Sequence, residues 1–122
     1  MPHIEELDKA ISAHGKWKFD LKQAIKNGYI DTPVETIRSD SQCFFGKWLD
    51  GSALASVEKE SDHYKTVKEY HAEFHKIAAR VVELVLAGKK SDAEEMMSLG
   101  GEYAKISSTL TLAMMEWKKN LS

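Results

Sequence analysis

Apolar side chains recur at steps of three and four along most of this 122-residue chain. That spacing gathers them on one face of an α-helix, whereas a strand would send them to both faces of a sheet. One stripe runs through Ile4, Leu7, Ile11, His14, Leu21 and Ile25, interrupted only by Lys18. A second runs through Val67, His71, Phe74, Ala78, Val81 and Val85, and a third carries Met96, Tyr103, Leu110, Met114, Trp117 and Leu121. The two prolines, Pro2 and Pro33, fall outside the stripes, so nothing breaks them where a helix would fail. The pattern predicts three long amphipathic helices. Gly28 closes the first, and the second runs from about Asp62 to Ala87 and stops at Gly88. The third is capped by Ser91 or Asp92. Gly100 and Gly101 lie inside this last helix and cost about 1 kcal/mol each against alanine. A bend or a close helix approach is expected there, and the spacing does not choose between them.

The connections are less regular. Residues 29–33 read as a loop, and Val34 to Arg38 is ambiguous. Ser39 with Gln42 three residues on has the form of a capping box. A short helix is therefore expected, ending at Asp50-Gly51, with Cys43 in its first turn. Phe44 with Trp48, and Phe45 with Leu49, would pair along it. Ala53 to Lys59 reads as a loop or a helical turn. The expected architecture is all-α: an antiparallel four-helix bundle with three long helices and one short helix carrying the cysteine. The length suits one domain spanning 1–122.

Composition narrows the function. Hydrophobic residues make up 43% and charged residues 30%, the profile of a globular domain rather than a disordered one. A net charge of −2 offers no electrostatic case for nucleic acid or a membrane surface. No apolar run approaches the roughly 20 residues that span a bilayer, and the N-terminal residues lack the basic and apolar regions of a secretory signal. A single cysteine makes no internal disulfide and fits a reducing compartment. A cytoplasmic location is the expectation.

The histidines carry the chemistry. His71 and His75 stand four apart and meet on one helix face, a ready clamp for a borderline metal. His14 and His71 lie on core stripes, and His75 borders one. Imidazoles aimed into a bundle interior need partners, because an unpaired buried polar group costs a few kcal/mol. A shared metal satisfies all three, and a first-turn Cys43 would supply a thiolate favoured by the helix dipole. Three imidazoles and a thiolate suit zinc better than copper or iron.

Spacing alone leaves this open. A lone core histidine is more often a satisfied packing residue, and a lone cysteine a small hydrophobe. A metal-free structural dimerisation bundle is the alternative. Trp17, Trp48 and Trp117 would anchor core or interface in either case. A zinc hydrolase is disfavoured, since His-Glu-x-x-His needs the acid directly after the first histidine. Ala72 stands there, and Glu73 is turned away. A di-iron bundle needs more inward histidines or glutamates than the stripes offer. His3 and His63 are expected at the surface. Lys16, Lys22, Lys26, Lys47, Lys89 and Lys90 read as a solvated face.

Three motifs sharpen the reading: Ala13-His14-Gly15-Lys16-Trp17, Cys43-Phe44-Phe45-Gly46-Lys47-Trp48-Leu49, and His71-Ala72-Glu73-Phe74-His75. In this order they resemble the chemoreceptor zinc-binding domain found in bacterial chemoreceptors and diguanylate cyclases. The likeness covers nearly the whole chain, and the cysteine motif is its most specific part. The resemblance implies zinc held by His14, Cys43, His71 and His75 in a four-helix bundle that commonly dimerises. It also implies a cytoplasmic sensor without catalysis, feeding chemotaxis or cyclic-di-GMP machinery. In some members the zinc-bound cysteine answers to oxidants such as hypochlorous acid, which makes Cys43 the candidate redox switch.

Overall fold

The structure is a computed structural model that describes residues 2–30, 33–39, 44–51 and 54–121. Described residues fold into helices without strands: α1 (Pro2–Asn27), α2 (Val34–Arg38), α3 (Phe44–Asp50), α4 (Ser56–Lys59), α5 (Asp62–Leu86), α6 (Lys90–Met97) and α7 (Glu102–Leu121). No helix among them is long and apolar enough to cross a membrane.

The stripes become the core. Leu7, His14, Leu21 and Ile25 of α1 are buried, while Ile4 and Ile11 are half-buried and Lys18 is exposed. Every member of the α5 stripe is buried, from Val67 through Phe74 to Val85. Tyr103, Leu110, Met114 and Trp117 of α7 close over them in one continuous cluster. Burial of these side chains, at roughly 1.5–3 kcal/mol for each large one, supplies the main drive for folding.

Pairs of side chains give the chain direction of each helix. Ile25 and Val85, near the C-terminal ends of α1 and α5, line one shared cavity, and His14 and Trp17 lie beside His71 and His75. Those two helices therefore run the same way. Tyr64 of α5 meets Trp117 with ring centres 6.1 Å apart, whereas Phe74 meets Tyr103, so α7 runs antiparallel to α5. The Lys118–Asp8 ion pair at 2.6 Å sets α7 antiparallel to α1 as well. Between α1 and α5 the chain returns along α5. The Ile37 carbonyl lies at His75, Phe45 at His71, and the Leu49 carbonyl accepts from Tyr64 Oη at 2.9 Å.

Local details depart from the sequence reading in three places. Val34 to Arg38, ambiguous in sequence, is a helix whose Ile37 is buried, and Ser39 ends it. Ser39 donates its N–H to the Glu35 carbonyl at 3.2 Å and so closes α2. Gln42, the other half of the expected capping box, and Cys43 lie outside the described residues, as does Ala53 in the connection before α4. Second, α6 begins at Lys90 with Lys89 at its N-cap, two to three residues before the expected cap at Ser91 or Asp92. Third, the expected single last helix is two. The chain turns between Met97 and Glu102, with Ser98 Oγ donating to the Glu95 carbonyl at 2.7 Å. Gly100 has φ +81°, and a Cβ on Gly101 would stand 2.4 Å from the Met96 carbonyl oxygen. The glycine pair thus makes a sharp turn that an alanine pair could not.

Candidate metal centre

Three helices converge on the histidines. His14 comes from the middle of α1, and His71 and His75 from successive turns of α5. A third wall comes from α3, with Phe45 edge-on to both His14 and His71 at 6.1 and 5.1 Å between ring centres. Tyr64 Oη on the Leu49 carbonyl and the Lys68–Asp50 ion pair at 2.8 Å hold α3 against α5. Phe74 packs edge-on to His14 at 4.8 Å, and Trp17 lies 6.4 Å from His75. The imidazoles sit in an aromatic box, and all three are at most 4% exposed.

Hydrogen bonds assign the ring nitrogens. A carbonyl oxygen only accepts, so His14 Nδ1 donates to the Ala10 carbonyl (2.6 Å) and His75 Nδ1 donates to the Ile37 carbonyl (2.8 Å). Each ring is left with a bare Nε2 lone pair. His75 Nε2 lies 3.1 Å from His71 Nε2, while His14 Nε2 is buried with no hydrogen-bond partner among the described residues. One nitrogen from each of the three rings falls within 4.8 Å of the others.

This arrangement fits a metal. Two nitrogens bound to tetrahedral zinc at about 2.0–2.1 Å stand roughly 3.3 Å apart, close to the His71–His75 separation of 3.1 Å. Backbone carbonyls on the far nitrogens are what orients metal-binding imidazoles. Electrostatics also favours neutral donors. Burial lowers His14 to about 4 against the pull of the Ala10 carbonyl, with His75 adding to the lowering. Burial, then His75 and His14, lower His71 to about 2. His14 and His71 are therefore uncharged at neutral pH, each keeping one lone pair, and the neutral imidazole is the form that binds metal. Glu73 is exposed, so no carboxylate from the His71–His75 stretch enters the site.

Sequence therefore placed His14, His71 and His75 together, and the structure brings them together. The fourth expected ligand, Cys43, lies outside the described residues, immediately before α3 and its Phe45. The Ile37 carbonyl was not foreseen as a partner of His75, because backbone acceptors leave no trace in side-chain pattern. His63 is half-buried rather than exposed, the His3 side chain lies outside the described residues, and the six lysines of the expected solvated face are exposed. Tyr103 Oη is buried without a hydrogen-bond partner among the described residues, and burial raises its pKa, with Asp20 adding to the rise.

Comparison with known proteins agrees with this geometry. No curated protein and no solved structure matches the chain. The family model of the chemoreceptor zinc-binding domain matches residues 14–82, more than half of the chain, and that stretch begins at His14 and encloses His71 and His75. The family is sensory and regulatory rather than catalytic. With three buried imidazoles inside the matched stretch, this chain belongs to the chemoreceptor zinc-binding domain family, and its cofactor is zinc.

Proposed function

We propose that the chain is a zinc-binding sensory domain that holds its metal through His14, Cys43, His71 and His75 and reports a change at Cys43. The observation that carries this reading is the cluster of three buried imidazoles, each with one ring nitrogen within 4.8 Å of the others. Three nitrogens and one sulfur close a tetrahedral shell, the structural rather than the catalytic arrangement. When bound, zinc supplies a cross-link between α1, α5 and the segment before α3, and it favours the thiolate form of Cys43. That closed shell leaves no position for an activated water, which is the reason to read the domain as non-enzymatic.

In this account the whole chain, residues 1–122, is one domain. The helical columns are α1, α2 with α3, α5, and α6 with α7, alternating in direction as a four-helix bundle, with Cys43 at the start of the short α3 column. The domain works in the cytoplasm and pairs as a homodimer. It passes its state to a signalling partner of the chemoreceptor or diguanylate cyclase type, and so to chemotaxis or cyclic-di-GMP output. It needs neither nucleic acid nor a membrane.

Cys43 is the changeable ligand. A thiolate attacking hypochlorous acid becomes a sulfenic acid with release of chloride, the sulfur losing two electrons and gaining the oxygen and proton. A sulfenic acid is a poorer ligand, so oxidation weakens one corner of the shell while the three imidazoles remain. Zinc affinity before and after one equivalent of hypochlorous acid tests this. The expected result is weaker binding in the native chain and no change in Cys43→Ser. Unchanged affinity with an unmodified Cys43 would reject the switch. Absence of any zinc uptake would return the chain to a metal-free structural dimerisation bundle.

A further inference from the structure

Five residues are too few to hold a helix in water, because nucleation consumes most of what so short a run can gain. Helix α2 nevertheless stands ordered between Val34 and Arg38. Its attachments explain why, and they lead to the metal centre. The Ile37 side chain is 1% exposed, in the core cluster. The Ile37 carbonyl accepts from His75 Nδ1. Arg38 reaches across to Glu83 of α5 at 2.8 Å while also holding Glu35 of its own helix. His75 and Glu83 are two turns apart on α5, so α2 is fastened to α5 at two points.

These two fastenings differ from those of His14. Its carbonyl partner, Ala10, belongs to the same helix, so the hydrogen bond that orients that ring needs no second element. The hydrogen bond that orients His75 comes instead from a separate short element, α2. We propose that α2 is a positioning strap for His75, pinned by Arg38 to Glu83, and that zinc binding and α2 docking reinforce each other. The physical route is direct. A metal on Nε2 withdraws electron density from the ring and makes the Nδ1–H a better donor to the Ile37 carbonyl. By linkage, whatever holds α2 down must raise zinc affinity by the same factor. The inference rests on the reading of His75 as a zinc ligand.

Two measurements on the full chain test it. Zinc affinity by chelator competition should fall about two- to fivefold in Arg38→Ala and equally in Glu83→Ala, the worth of a partly exposed ion pair. The double variant should fall no further. Lys118→Ala, which cuts the comparable Lys118–Asp8 pair far from α2, should leave affinity unchanged. Hydrogen exchange should show the Ile37 and Ser39 amides, which donate to Pro33 and Glu35, slowing at least tenfold when zinc is added. Equal affinity in the native chain and both single variants overturns the proposal, as does α2 exchange indifferent to zinc. If zinc binds tightly and His71→Ala abolishes it while α2 exchange does not respond, only the strap fails. If the native chain takes up no zinc, the zinc reading and the strap fall together.

Discussion

The Ile37 carbonyl and His75 Nδ1, 38 residues apart in sequence, lie 2.8 Å apart. That bond fixes which nitrogen of His75 carries the proton and turns the other toward His71. The site is thus prepared by the backbone of a neighbouring helix before any metal arrives. The same fold keeps the three rings dry, and burial holds His14 and His71 neutral.

Dry histidines make the metal-free protein sensitive to acid. His14 is lowered to about 4 and His71 to about 2, against about 6.5 in an unfolded chain. Above pH 6.5 both are neutral in either state and the fold keeps its full stability. As pH falls below that, the unfolded chain takes up protons that the folded chain refuses, so stability declines. For His14 the loss reaches about 3 kcal/mol near pH 4, and His71 continues the decline below that. Urea unfolding of the zinc-free protein should show a midpoint that drops between pH 8 and pH 5, with the drop reduced in His14→Leu. An equal midpoint at both pH values would contradict the buried neutral assignment.

Phe74 is fully buried and joins His14 to Tyr103, with ring centres 4.8 and 5.4 Å away. Phe74→Ala should destabilise the fold by about 3–5 kcal/mol and Phe74→Leu by about 1 kcal/mol. Because the ring also walls the metal centre, the leucine variant should fold yet bind zinc more weakly. Chemical denaturation with a parallel zinc titration checks both effects.

Glycines give opposite expectations at two sites. A Cβ on Gly15 meets nothing within 4 Å, and the position is inside α1, so Gly15→Ala should stabilise by about 0.5–1 kcal/mol. A Cβ on Gly101 meets backbone oxygens of Met96 and Glu95 at 2.4 and 2.5 Å. Gly101→Ala should therefore destabilise, by about 2 kcal/mol or more, as the turn is forced open. Thermal unfolding of the two variants should move in opposite directions.

Much of this was readable in the chain. The stripes of α1 and α5 predicted their buried faces, and the four-residue spacing of His71 and His75 predicted that the rings meet. Other features depend on tertiary contacts that periodicity does not encode. Residues Val34 to Arg38 form a helix because Ile37 and Arg38 dock on α5, and five residues carry too little pattern to announce that. The Gly100–Gly101 pair signalled an irregularity, but only the clash of a Cβ with the Met96 carbonyl distinguishes a full turn from a bend. The Nε2 of His14, without a hydrogen-bond partner among the described residues, is equally invisible in sequence, since it follows from the carbonyl that Nδ1 takes.

Whether the three histidines and Cys43 hold zinc is decided by metal content, measured by native mass spectrometry on the purified chain and on His71→Ala and Cys43→Ser. One zinc per chain is expected in the native protein, with none retained by His71→Ala and weakened retention in Cys43→Ser. A native chain that carries no zinc, or a His71→Ala variant that carries as much as the native chain, would contradict it.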